Sequence, residues 1–147
     1  MKWIRLPVCS MNRAFEQWVA LYNKKVSDKF KRDERFTLFY LPEKGFAEIA
    51  DTGKIIVVNQ VCGEFKFWRG VTEKIARQLG RSHAVTFFYR HVLPFMRLAG
   101  LEIIRSEKTK FGDSWVFEDK HTGQKGRASP TDDGSYFISW EVTTDGV

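Results

Sequence analysis

The sequence is poor in the features that mark several large classes of protein. Only 2 of its 147 residues are cysteine and only 4 are proline, with 11 glycines, which argues against a disulfide framework and against a collagen-like or low-complexity chain. No apolar run approaches the roughly 18 residues that a membrane-spanning helix needs, and the longest, Ile55–Val58 and Val85–Tyr89, have the length of strands. The start, MKWIRLPVCSMNRAF, lacks the continuous apolar centre of a secretion signal. We therefore expect a cytoplasmic protein without a membrane partner.

The apolar content is ample for one packed core. Hydrophobic residues make up 43% of the chain and aromatic residues 15%, so a single domain over residues 1–147 is expected. The formal net charge is +6, and residues 24–35 carry six basic and three acidic side chains. This balance is compatible with an anionic partner, either a nucleic acid or a nucleotide cofactor.

The first half of the chain predicts a strand, a helix and a three-stranded meander. Trp3–Val8 has the composition of a short strand. Apolar residues then recur at helical spacing, and they are Phe15, Trp18, Val19, Tyr22 and Val26. The following segments are rich in β-branched and aromatic residues and are separated by short turns, and they are Arg35–Leu41, Phe46–Ala50 and Lys54–Val61.

The second half begins with a predicted helix over Glu64–Gly80, which Gly80 ends. After an ambiguous segment at residues 84–90, a short helix is expected over His91–Ala99. A hairpin follows, formed by Leu101–Glu107 and Ser114–Glu118. His121–Asp133 is rich in turn residues and predicts a loop. Alternating apolar residues then predict a last strand, and they are Tyr136, Ile138, Trp140 and Val142.

Residues 84–90, AVTFFYR, admit two interpretations that lead to different functions. If they are helical, residues 72–118 resemble a winged helix-turn-helix that binds DNA, with Ser82–Arg90 in the recognition helix and Lys108–Lys110 in the wing. If they are extended, they form a central strand. The strand is favoured because Pro94 would lie inside a long recognition helix, where proline costs about 3 kcal/mol or more. Val-Thr-Phe-Phe-Tyr is also a strong strand composition.

With the strand interpretation, the order of elements resembles that of the GNAT superfamily of N-acetyltransferases. The likeness covers about residues 3–118, and residues 119–147 add a loop and a final strand. Its most specific part is AVTFFYR, then VLPFMRLAG, then LEIIRSEKTKFGDSWVFED, which looks like the family's fifth strand, fourth helix and final hairpin. The resemblance implies an α/β (α+β) fold with a single mixed, mostly antiparallel sheet flanked by helices. The layout is also similar to that of small GNAT-type proteins of bacteriophages, some of which are virion components.

The resemblance implies acetyl-CoA as a substrate, with an unknown amine as acceptor. The family's pyrophosphate-binding motif, [Q/R]-x-x-G-x-[G/A], aligns with Gln60-Val61-Cys62-Gly63-Glu64-Phe65, where Gln60 and Gly63 match and Phe65 replaces a small residue. A helix N-terminus at this point would present N–H donors to the phosphates. The pantetheine arm would pair with main chain around Val57–Asn59. The implied cofactor-binding residues are Val57, Val58, Asn59, Gln60, Val61, Cys62, Gly63 and Glu64.

Acyl transfer needs a base for the attacking amine and an acid for the departing thiolate. The family's acid is a tyrosine in the fourth helix, and Met96 stands at that position here. The remaining candidate catalytic residues are Glu48 as base, with Tyr89 and His91 at the strand-to-helix junction. The histidines have no metal-ligand spacing, so no metal is expected. An alternative is a catalytically silent GNAT-like protein that serves as a phage structural or accessory component.

Overall fold

The computed structural model describes residues 13–25, 30–88 and 92–142. These residues form three helices and eight strands. The helices are α1 (Arg13–Lys25), α2 (Phe65–Leu79) and α3 (Val92–Leu98). The strands are β1 (Thr37–Leu41), β2 (Gly45–Asp51), β3 (Ile56–Gly63), β4 (His83–Phe88), β5 (Leu101–Thr109), β6 (Gly112–Asp119), β7 (Lys125–Pro130) and β8 (Tyr136–Glu141).

All eight strands belong to one sheet in the order β1-β2-β3-β4-β8-β7-β6-β5. Only β3 and β4 pair in parallel, joined by the crossover helix α2, and the other neighbours are antiparallel. The prediction of a mixed, mostly antiparallel α/β sheet flanked by helices is therefore confirmed. The predicted meander is β1-β2-β3, and a second meander, β5-β6-β7-β8, returns from the far edge to β4.

The two faces of the sheet carry separate apolar clusters at the β1–β3 end. On one face α2 packs through Trp68, Val71 and Ile75. On the other face α1 packs through Phe15 and Tyr22 against side chains of the first three strands. Successive side chains of a strand point to opposite faces of the sheet. On β1, Phe39 therefore packs on the α2 side and Tyr40 on the α1 side. Strands β1–β3 are thus enclosed between two helices.

Both long helices lie where the apolar spacing predicts them. On α1, Phe15 and Tyr22 are buried, with Trp18 and Val19 packed beside them. Helix α2 ends at Gly80, whose φ of 73° is left-handed. The Arg81 N–H then donates to the Ala76 carbonyl at 2.8 Å, the bond pattern of a glycine-capped helix end. Val26 and the predicted strand Trp3–Val8 lie outside the described residues.

The ambiguous segment is a strand over His83–Phe88. It lies in the interior of the sheet between β3 and β8, and Ala84, Val85 and Thr86 are buried. A recognition helix over Ser82–Arg90 is therefore wrong for residues 83–88. The winged-helix interpretation loses the element that would enter the DNA groove. Tyr89 and Arg90 are the residues of this segment that lie outside the described residues.

The prediction of a loop over His121–Asp133 is wrong, because this stretch contains strand β7. The glycine and proline that resemble turn residues here are explained by their positions in the strand. A Cβ atom at Gly126 would lie 2.4 Å from Cζ of Phe117 on the neighbouring strand, so glycine leaves room for a core ring. Pro130 stands at the last position of the strand, beyond Ala128, where the pairing of β7 with β6 ends. Residues 119–142 therefore contribute two strands rather than one.

Candidate functional site

The parallel strands β3 and β4 separate before either of them ends. Their register runs through Ile56↔Ala84 and Val57↔Val85 and stops at Val58↔Thr86. Strand β3 nevertheless continues to Gly63 and β4 to Phe88. The Thr86 hydroxyl donates to the Val58 carbonyl at 2.9 Å, so a side chain bridges the strands at the last pair. Among the described residues the sheet thus opens into a fork beyond Val58 and Thr86, and we call this opening the fork.

A β-bulge lies at the base of the fork. The register of β2 on β3 passes from Ala47↔Val61 to Ile49↔Val58, so Asn59 and Gln60 together face Glu48. A bulge of this kind bends the strand and redirects its side chains. Here it directs the side chains of Asn59 and Gln60 to the same carboxylate.

Glu48 is fully buried and its carboxylate accepts four hydrogen bonds. Oε1 accepts from Asn59 Nδ2 at 3.0 Å and from Gln60 Nε2 at 2.7 Å. Oε2 accepts from Arg32 Nη1 at 2.6 Å and from the Asp33 N–H at 2.9 Å. Four donors match the roughly four lone-pair sites of an ionised carboxylate. This geometry favours an anchoring role for Glu48, because a general base needs an acceptor site within reach of the substrate.

Gln60 also binds the segment before β1. Its amide exchanges two bonds with the main chain of Lys31, donating to the carbonyl at 2.5 Å and accepting from the N–H at 3.1 Å. The side chain that matches the family's motif is therefore engaged by Lys31 and Glu48. Together these bonds tie residues 31–33 to the bulge.

At the end of β3 the main chain passes very close to β2. A Cβ atom at Gly63 would lie 2.1 Å from the Lys44 carbonyl oxygen, and one at Gly45 would lie 2.0 Å from that of Cys62. Gly63 has a φ of 108°, a conformation that other residues adopt only at a cost. The Lys44 carbonyl accepts from the Glu64 N–H at 3.0 Å and from Trp68 Nε1 at 2.8 Å. Gly63 is thus required by this close crossing, which fixes where α2 begins.

The start of α2 carries charges of both signs, some favourable and some unfavourable to a bound anion. Glu64 is the N-cap residue but makes no side-chain cap hydrogen bond. Its carboxylate pairs with Lys44 Nζ at 2.7 Å, and the same ammonium lies 5.5 Å from the centre of the Phe67 ring. Lys66 in the first turn is exposed. An anion at this helix end would meet the positive end of the helix dipole but also the Glu64 carboxylate.

A small pocket lies beneath α2 beside the fork. It is lined by Val58, Val61, Phe65, Trp68, Arg69, Thr72, Thr86 and Trp140. Its cavity volume is about 10 Å³, close to the minimum for one water molecule. Among the described residues, the buried indole Nε1 of Trp140 has no hydrogen-bond partner. The pocket as it stands holds no more than a very small group.

Arg69 at the rim of this pocket is held by a buried polar network. Its guanidinium contacts Asp119 Oδ2 at 3.0 Å, Gln124 Oε1 at 3.0 Å and Glu73 Oε2 at 3.4 Å. Burial of the Asp119 carboxyl would raise its pKa, but bonds from the His121 N–H and Arg69 outweigh burial and lower it. Since its donors face these three partners, Arg69 is poorly placed to bind a phosphate.

Sequence reasoning missed this network, although part of its signal was present. Arg69 and Glu73 stand four residues apart on α2, a spacing that brings side chains together. Asp119 and Gln124 are about fifty residues further along the chain, and their approach depends on the position of β6 and β7. That part was not accessible from local spacing.

The other predicted site residues are distributed as follows. Val57 and Val58 lie within the part of β3 that pairs with β4, and Val61 lies in the unpaired part of β3 that borders the fork. Cys62 is buried against α1, and its Sγ donates to the Trp18 carbonyl at 3.6 Å. Met96 is buried in the core. Tyr89 and His91 lie outside the described residues.

Comparison with known proteins identifies no relative. No family model matches the chain, and neither does any curated protein or solved structure at the level required for significance. Among the described residues, no helix is both long and apolar enough to cross a membrane.

Proposed function

We propose that the protein binds acetyl-CoA at the fork between β3 and β4 and transfers the acetyl group to an amine. The observation that supports this proposal is the early end of the parallel ladder at Val58↔Thr86. Beyond that pair, β3 and β4 both continue. An extended ligand rich in amide groups can occupy such an opening because it pairs with main chain as an added strand does.

The pantetheine arm of acetyl-CoA has the required chemistry, since it is an extended chain with two amide groups. Its diphosphate end suits the start of α2, which follows β3 after a single intervening residue, Glu64. Helix N-termini bind phosphates through N–H groups and the helix dipole. The residues from Asn59 to Glu64 would therefore follow the cofactor along its length.

In the transfer step the amine nitrogen attacks the thioester carbonyl carbon. The new C–N bond forms as the C–S bond breaks, the amine loses a proton, and CoA leaves as a thiolate that takes up a proton. Tyr89 and His91 are the candidates for these proton transfers. Glu48 has its oxygens bound by four donors, so in this proposal it holds the bulge in place.

The proposal includes one unfavourable charge, and this gives a sharp test. Glu64 neutralises Lys44 through a 2.7 Å ion pair at the helix end. We expect Glu64→Gln to tighten acetyl-CoA binding about three- to tenfold, because it removes a repulsion and releases a lysine for the phosphates. Glu43→Gln is the matched control, since Glu43 is an exposed neighbour of Lys44 outside α2.

The measurement is the rise in melting temperature of the full chain on titration with acetyl-CoA, with CoA lacking the acetyl group as a second ligand. A ligand that binds the folded state raises this temperature with concentration. The expected result is a rise that grows with the logarithm of the ligand concentration above the dissociation constant. This rise should be larger for Glu64→Gln than for the wild type, and the same for Glu43→Gln as for the wild type. If acetyl-CoA produces no rise in either the wild-type protein or Glu64→Gln, the proposal is wrong.

Binding without catalysis is a second candidate function, and specific observations favour it. The only candidate base among the described residues is bound by four donors, and Met96 replaces the family's acid in a buried position. Release of free thiol from acetyl-CoA, measured across a panel of amines, separates the two functions. A thermal shift without thiol release supports the silent protein, and release that His91→Ala abolishes supports the enzyme.

A further inference from the structure

We propose that β5 is a self-association surface, through which two copies of the chain pair edge to edge around a twofold axis. This proposal is independent of the acetyl-CoA site. In the described part of the chain, β5 is the last strand of the sheet order. No other strand of the described residues pairs with its outer edge, and the main-chain groups of such an edge can pair with a further strand.

Among the described residues, most of the exposed large apolar side chains belong to the β5–β6 hairpin. Eight of the nine residues of β5 are exposed. Five large hydrophobic side chains are exposed in the described residues, and three of them belong to the β5–β6 hairpin. They are Ile103 at 43%, Ile104 at 48% and Phe111 at 51% exposure. Ile103 and Ile104 are adjacent near the start of β5, and Phe111 lies in the turn at the other end of the hairpin. An exposed apolar pair on an edge strand is the kind of feature that marks an interaction surface.

Edge strands are commonly protected by a bulge or by charges, and β5 has both. The register of β5 on β6 shifts between Ile103 and Arg105, so Ile104 is the extra residue of a bulge. A bulge protects an edge by twisting it away from further pairing, but this one exposes an isoleucine beside a second isoleucine. The charges on either side, Glu102 and Arg105, have opposite signs.

The pattern Glu102-Ile103-Ile104-Arg105 is complementary to itself in an antiparallel pair. If the twofold axis passes between Ile103 and Ile104, each Glu102 faces Arg105 of the second copy and the isoleucines face one another. Glu102 and Arg105 lie on the same face of the sheet, because their partners on β6 are Glu118 and Val116, two residues apart. Both charge pairs would therefore form on one face.

Other registers are less favourable. With the axis between Ile104 and Arg105, Glu102 faces Glu107 twice. With the axis at Arg105, two arginines face each other. Like charges directly opposite each other destabilise a strand pair. With the axis at Ser106, Arg105 would face Glu107, but the isoleucines would not face one another. Of these alignments, only the axis between Ile103 and Ile104 combines opposite charges with facing isoleucines.

The positive charge of Arg105 is only partly neutralised within its own chain, so it can pair with a carboxylate of a second copy. Its Nε contacts Glu107 at 2.9 Å, but the same carboxylate also accepts from Arg127 at 3.1 Å. One carboxylate therefore serves two guanidinium groups. Within the described ranges, the ion pair of Glu102 is a 3.8 Å contact with Lys120 Nζ, in which both side chains are more than half exposed. Such a contact contributes little.

The experiment is sedimentation velocity of the full chain over a wide concentration range, with charge variants of β5. We expect a reversible monomer–dimer equilibrium. Glu102→Arg and Arg105→Glu should each weaken the dimer at least about tenfold, because each creates two like-charge pairs. The double variant Glu102→Arg/Arg105→Glu restores both pairs and should return the dissociation constant to within about threefold of the wild type.

Two controls keep the test specific. Lys54→Glu makes the same change in net charge as Arg105→Glu at an exposed turn beyond β2, and should leave the dimer unchanged. Circular dichroism of each variant confirms that the fold is kept. A chain that stays monomeric at all concentrations contradicts the proposal. So does a dimer that both single variants leave intact, or a double variant that remains as weak as the single ones.

Discussion

The two ends of the sheet are built on different principles. At the β1–β3 end, helices cover both faces, a buried carboxylate anchors a bulge, and two glycine residues let neighbouring main chains approach to unusual closeness. At the β5–β6 end, most side chains of β5 face solvent, and the bulge at Ile104 lies on an edge strand. The first end fixes backbone positions through buried contacts, and the second presents a surface. The fork lies beside the first end, where the backbone is most constrained.

The largest expected loss of stability comes from replacing a glycine at which backbone strain and close packing act together, compared with a glycine at which strain acts alone. Gly63 and Gly53 both have positive φ, 108° and 96°, but only Gly63 has neighbouring atoms within the reach of a Cβ. We expect Gly63→Ala to lower the free energy of unfolding by about 4 kcal/mol or more, because strain and steric overlap add. Gly53→Ala should cost about 1–3 kcal/mol from strain alone.

Urea denaturation of the two variants measures this difference. Equal losses of stability would show that Lys44 and Gly63 do not pass as closely as described. A large loss of stability at Gly63 would also make this residue unsuitable for testing ligand binding, because its variants would disturb the fold before they affect a ligand.

A smaller effect compares carboxylates at the two ends of the sheet. Glu48 is buried among four donors, while Glu107 is 44% exposed in its pairs with Arg105 and Arg127. Glu48→Gln should lower the free energy of unfolding by about 3 kcal/mol, because it leaves the Arg32 charge without its partner and puts an amide N–H against other donors. Glu107→Gln should change it by less than about 1 kcal/mol.

Chemical denaturation at neutral pH and at low and high salt checks this pair of variants. The loss at Glu48 should persist in high salt, since buried charges are weakly screened, and any loss at Glu107 should vanish. A Glu48→Gln variant as stable as the wild type would contradict the anchoring role.

The smallest effect concerns acid stability at the junction of β2 with the α2–β4 turn. Arg81 donates two hydrogen bonds to Asp51, at 2.7 and 2.9 Å, and holds the pKa of that carboxyl below its usual value. A lowered pKa means that protonation favours the unfolded state. The stability from this pair is therefore present above about pH 4 and is lost as the pH falls through the folded-state pKa.

Asp51→Asn should lower the free energy of unfolding by about 1 kcal/mol at neutral pH and flatten its decline below about pH 4. The measurement is denaturant unfolding at several pH values. An unchanged slope would show that the Arg81 contact does not shift the titration of Asp51.

The elements that sequence predicts well are those with strong periodicity. Helix α2 and the β1–β3 meander follow from apolar spacing and short turns, and Gly80 marks the end of its helix. Strand β7 was missed because Gly126 and Pro130 are turn residues by composition, and only the position of the Phe117 ring explains the glycine. The arrangement of donors around Glu48 depends on a β-bulge, which the local sequence pattern does not predict.

The candidate site was predicted only in part for the same reason. Gln60 and Gly63 could be selected from a motif, but their contacts with Lys31 and Lys44 come from segments about twenty or more residues earlier. The end of the ladder at Val58 and Thr86 is a property of strand pairing. Such features require the position of the strands, which single-sequence patterns do not specify.

The most direct test of acetyl-CoA binding at the fork is hydrogen exchange of the main-chain amides with and without the ligand. Because the pantetheine arm would pair with β3 and the phosphates with the start of α2, acetyl-CoA should slow exchange at residues 59–66. Exchange in β6 and β7, on the other side of β8, should be unchanged. Slowed exchange confined to β6 and β7, or no change at residues 59–66 at saturating acetyl-CoA, would contradict the proposed site.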